Sequence, residues 1–147
     1  MRAGHDISSD LIVLNLFKAL GLAILIWIVG FVWGTFVFMT PALKRTPAIP
    51  YLSVNPAISF PILLIWIPVA YLCARICLWR SPNPQTEGVK VGIMFAGINF
   101  ILDLLMLVLL LRAGFGYFVS LTVWLGYLIL LIVPWLTGRS LQKIRAS

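Results

Sequence analysis

Within the run GINFILDLL, residues 97 to 105, Asp103 stands four residues after Asn99 in otherwise apolar sequence. Four residues is about one helical turn, so on a helix the carboxyl and the amide share a face. An acid in such a setting can relay protons, bind a cation, or hydrogen-bond across helices. Ionising it without a partner in a dry environment is costly. The neutral acid is therefore the expected resting form, hydrogen-bonded to Asn99, Tyr127, Trp33 or the carbonyl of Leu64.

Other reactive groups are few. The only histidine, His5, lies in a polar N-terminal stretch, which leaves no support for a histidine-based metal centre, haem ligation by histidine pairs or a serine-histidine hydrolase site. Cys73 and Cys77 are four apart, a spacing that aims them poorly at each other on a helix, and they are expected to be packing residues. No catalytic set and no metal ligands are expected. Nothing in the spacing of Trp27, Trp33, Trp66 and Trp124 distinguishes a pigment, a quinone or a hydrophobic substrate from core packing, so no cofactor is assigned. Arg75, in LCARICLWR, reads as an interfacial cation and the candidate contact for a lipid headgroup.

The elements that hold these residues follow from composition. Of 147 residues, 62% are hydrophobic and 10% charged, with a mean hydropathy of +1.07. This is the balance of an integral membrane protein rather than a soluble domain. Roughly 20 apolar residues cross a hydrocarbon core, and four stretches reach that length. They run at about 19–39, 56–79, 91–111 and 117–136, with residues 9–18 as an interfacial helical extension of the first. Pro41 ends the first stretch, Asn55-Pro56 starts the second, and Gly114 and Gly116 permit a tight turn before the fourth. The fold expected is an all-α, four-helix transmembrane bundle forming a single membrane domain. The segment TPALKRTPAIPYLSVNP between the first two helices reads as a stiff, proline-punctuated connector.

Net charge is +7. Four crossings put both termini on one side together with Arg2, Lys18, Arg75, Arg80, Lys90, Arg139, Lys143 and Arg145. Lys44, Arg45 and Arg112 fall on the other side. The positive-inside bias then makes the tail side cytoplasmic. No nucleic-acid motif accompanies the basic residues, and nucleic acid is not an expected partner.

At about 100° per residue, the third helix gathers Gly88, Gly92, Ala96, Asn99, Asp103, Met106 and Leu110 on one arc, with Met94, Ile101, Leu105 and Val108 opposite and facing lipid. The first helix carries Ala23, Trp27, Gly30 and Gly34 on one stripe. Small residues let membrane helices approach closely, so these two helices are expected to pair through their glycine faces. The expected partners are membrane lipids and other transmembrane subunits or further copies of the chain. The leading functional expectation is a non-enzymatic accessory, assembly or structural subunit that packs against partner helices. The alternative is a small proton- or cation-coupled transporter, a homo-oligomer with Asp103 in its path, and a membrane enzyme acting on lipid or quinone comes third.

Overall fold

The computed structural model describes residues 4–38, 56–112, 114–119 and 121–146, with side chains described from Leu16 to Thr35 in the first helix and from Leu63 in the second. Four long helices dominate: α1 (Gly4–Phe38), α2 (Pro56–Leu78), α3 (Pro84–Leu102) and α4 (Leu121–Ala146). α3 runs directly into a π-helix, Asp103–Leu110, and a 3-10 turn, Phe115–Val119, precedes α4. No strand occurs among the described residues. The proline-rich connector, with Lys44 and Arg45, lies outside them. Among the described residues, three helices are long and apolar enough to cross a membrane, α1 over Leu16–Thr35, α3 with its π continuation over Pro84–Leu110, and α4 over Leu121–Arg145, and α2 adds a shorter apolar stretch, Leu63–Leu78.

Several helix ends differ from the sequence expectation for local reasons. α1 is one continuous helix from Gly4, so residues 9–18 prolong it without a break. α3 starts at Pro84 rather than near 91, because proline suits the first helical position. Glu87 in its first turn favours that end and is ion-paired with Lys90 at 2.8 Å. α4 starts at Leu121 rather than 117 and continues to Ala146 with Pro134 inside it. The apolar run alone stops near 136, but Gly138 packs against the start of α3 and the Leu, Gln, Lys and Arg residues from 141 on favour helix, so the helix continues.

The helices are ordered α1, α2, α4, α3 around the bundle. α3 and α4 make the most extensive contact and α2 packs beside α4, while α1 touches α2 and α3 and stands diagonally across from α4. Ala23, Ile26, Ala70, Phe95 and Leu130 meet at the centre, fully or almost fully buried.

The first and third helices do pack together as expected, but the glycines of the third lie against α4 rather than against those of α1. A Cβ on Gly92 would sit 2.5 Å from the Leu131 carbonyl oxygen, and one on Gly88 would sit 2.6 Å from that of Pro134. Both lie against α4, which answers with Gly138 set against the Pro84 carbonyl. α4 has its own small residue at the crossing, so the two backbones can touch; on α1, Ala23 and Trp27 do meet α3, through hydrogen bonds with Asn99 and Asp103, but Gly30 faces the indole of Trp66 from α2. That ring fills the notch at Gly30, where a Cβ would lie 2.9 Å from Nε1, and its other edge faces Gly126. Gly34 has nothing within 4 Å, and Ala96 is half-buried beside the core.

The π-helix explains another departure. Leu111 N–H donates to the Met106 carbonyl at 2.9 Å, five residues back. A residue five after Asp103 is then brought back toward its face instead of lying far round the helix. Val108, expected to face lipid, is accordingly buried at 6% exposure, whereas Ile101 and Leu105 do face outward.

Basic side chains tie down the tail end. Lys18 Nζ donates to the Ile76 carbonyl at 2.8 Å, and the Arg145 guanidinium donates to the carbonyls of Ser81 and Trp79. The Ile76 carbonyl belongs to the last turn of α2, whose carbonyls lack an intrahelical partner, and those of Trp79 and Ser81 lie just beyond the helix end.

Candidate functional site

Asp103 lies where α3 becomes the π-helix and is 4% exposed. Three side chains from three segments donate to it. Trp27 Nε1 of α1 reaches Oδ1 at 2.8 Å. Tyr127 of α4 and Tyr117 of the 3-10 turn both reach Oδ2, at 2.6 Å and 3.0 Å respectively. No ion pair to Asp103 occurs among the described residues.

Each donor is held by aromatic packing. The Trp27 indole stacks on Phe31, with centroids 5.2 Å apart. Tyr127 is met edge-on by Phe100 and Trp124. The turn is pinned by Phe118, whose ring packs on Phe100 at 5.0 Å and whose carbonyl accepts from Trp124 Nε1 at 2.7 Å. Arg112 and Gly114 both adopt left-handed backbone, φ 54° and 77°. They reverse the chain after the π-helix, so that Tyr117 points back toward the acid.

The arrangement suits an anion. Two carboxylate oxygens accept without donating, and three neutral donors fill them. The 2.6 Å Tyr127 contact is the shorter of the two hydroxyl bonds to Oδ2. In the neutral acid the added proton would itself need an acceptor, and a tyrosine hydroxyl oxygen is the group at hand. The same heavy-atom positions serve the neutral acid expected from sequence, with one tyrosine hydroxyl accepting.

Of the sequence-predicted trio, Asp103 and Tyr127 are brought together and Asn99 is not bonded to either. Asn99 is fully buried one turn away, where Nδ2 donates to the carbonyls of Phe95 at 2.8 Å and Ala23 at 3.2 Å. Its Oδ1 has no hydrogen-bond partner. The carbonyl of Leu64 is likewise not a partner of Asp103. Trp27 and Tyr117 complete the site, and the sequence pattern marks neither as a donor. Trp27 falls on the α1 small-residue stripe, and Gly114 and Gly116 are the only sign that the chain near Tyr117 can fold back.

Arg75 is exposed on α2, its guanidinium 5.3 Å from the Trp79 ring centroid and 3.5 Å from the Tyr71 hydroxyl. It belongs to the tail end, with Lys18 and Arg145, and takes no part in the Asp103 site. Cys73 and Cys77 are free thiols. Among the described residues no three His, Cys, Asp or Glu side chains cluster as metal ligands would. In comparisons with protein-family models, curated proteins and solved structures, nothing matches this chain.

Proposed function

We propose that this chain is an integral membrane protein that crosses the bilayer four times, with both tails on the cytoplasmic side, and serves as a non-enzymatic accessory or assembly component among other transmembrane helices. The observation that carries this reading is the way Asp103 is used. Both of its oxygens are filled by donors of the same chain, so the acid fastens α1, α3, α4 and the 115–119 turn together rather than standing open for a substrate. The outer faces of α1 and α2 are apolar, with Leu25, Ile28, Phe31, Leu64 and Leu72 all exposed. In a bilayer such faces meet lipid tails or other helices.

Depth is consistent with that placement. Trp27 lies nine residues from Lys18, and Tyr127 twelve from Arg139, so the acid is roughly 14 to 18 Å inward from those cations at 1.5 Å per residue. Half a hydrocarbon core is about 15 Å.

The test is native mass spectrometry of the protein extracted gently from its own membrane. Larger subunits in fixed stoichiometry are the expected result; a monomer or small homo-oligomer alone would reject the reading. A second reading, a proton-coupled carrier, is favoured by the eight-residue π-helix that opens at Asp103, since such turns recur at functional sites. It requires proton flux in proteoliposomes that disappears in Asp103→Asn.

A further inference from the structure

We propose that Asp103 is a proton-binding site whose occupancy decides whether the 115–119 turn is docked on the bundle, making a latch at the end of the molecule opposite the tails. This goes beyond the accessory role and does not depend on it.

Oδ2 accepts from two hydroxyls at once, Tyr127 at 2.6 Å and Tyr117 at 3.0 Å. An oxygen with two lone pairs accepts both, and it holds them most strongly when it carries the charge. When a proton from solvent bonds to Oδ2, that oxygen loses acceptor capacity and gains an O–H that must donate. One tyrosine must then stop donating, and it either turns its hydroxyl to accept or leaves. Tyr117 is the one to leave. Its bond is the longer, and it sits on a five-residue turn with Phe115 and Val119 exposed, whereas Tyr127 is built into α4. Loss of the proton restores the anion and draws Tyr117 back.

The surroundings leave the proton to Asp103. α1 faces the acid with Trp27, the preceding turn of α3 with the neutral amide of Asn99, α4 with Tyr127 and the turn with Tyr117. The titratable groups described on α2, Tyr71, Cys73, Arg75 and Cys77, lie toward its tail end near Ile76, whose carbonyl Lys18 binds. Arg112, at the latch end, reverses the chain in left-handed backbone and is exposed. The side of the bundle from which Tyr117 withdraws is therefore the side from which a proton reaches Oδ2.

The experiment is amide hydrogen exchange of residues 114–119 in the full chain in lipid nanodiscs, corrected for the intrinsic pH dependence, with the Asp103 carboxyl followed by infrared difference spectroscopy. In the wild type, exchange of the turn should rise about tenfold, the worth of one hydrogen bond to a charged group, over the pH range in which the carboxyl band appears. Tyr117→Phe keeps the ring and removes the hydroxyl. Its turn should exchange fast at every pH, while amides of α3 and α4 stay protected. Asp103→Asn should also lose the pH dependence. Turn exchange that stays flat while the carboxyl titrates, a carboxyl that never titrates, or a Tyr117→Phe protein that keeps the wild-type profile would each overturn the latch. None of these outcomes bears on whether partner subunits co-purify.

Discussion

A carboxylate held by an indole and two phenols is fastened unequally, and the inequality can be measured. Tyr127→Phe removes the 2.6 Å bond and leaves a buried charge short of a donor, so it should cost about 1.5 to 3 kcal/mol. Tyr117→Phe removes the longer, 3.0 Å bond from a half-buried residue on the short turn and should cost less than half of that. Unfolding in detergent with both single variants and the double variant checks the order; equal losses would mean that the two hydroxyls are interchangeable. Much of this site is legible in the sequence. An acid one turn from an amide in an apolar run demands partners, and Tyr127 stands at the right depth. Trp27 and Tyr117 are not legible as donors, because one depends on which helix faces α3 and the other on a chain reversal built from Arg112 and Gly114. Asn99 shares the arc with Asp103, yet its amide finds backbone carbonyls closer than the carboxylate.

Between elements, the α3–α4 contact rests on glycines pressed against backbone. Gly92→Ala would drive a methyl group into the Leu131 carbonyl and should destabilise the bundle by about 1 to 3 kcal/mol. Gly97→Ala, on the same helix with nothing within 4 Å, should be neutral or slightly stabilising through helix propensity. Thermal unfolding of the pair decides it, and comparable losses would mean that propensity rather than the close approach governs. The small-residue face of the third helix can be read from period alone, but not the helix that receives it. That choice turns on bulk elsewhere, since Trp66 occupies Gly30, and on Gly138, which lies beyond the apolar run that marks the expected end of the last helix. The helical period misplaces Val108 because a constant 3.6-residue repeat cannot register a stretch bonded five residues back.

For the whole molecule, the two ends differ in charge, and the proposed topology follows from that difference. A cysteine placed at exposed Gln85, in a background lacking Cys73 and Cys77, should label from the same side as tags on both termini; one placed at exposed Phe115 should label from the other. Labelling of both positions from one side would reject four crossings. The number of helices and their approximate spans follow from hydropathy and proline placement, while their order around the bundle needs the packing itself. That order has a consequence for biogenesis. α3 and α4 follow one another closely along the chain, share the largest contact, and lock by backbone contact that needs neither α1 nor α2. Such a hairpin can leave the insertion machinery already paired. The earlier-made helices would then wait, separate in the lipid, for a later-made template, so that the bundle closes from its C-terminal half and Asp103 gains its α1 donor last.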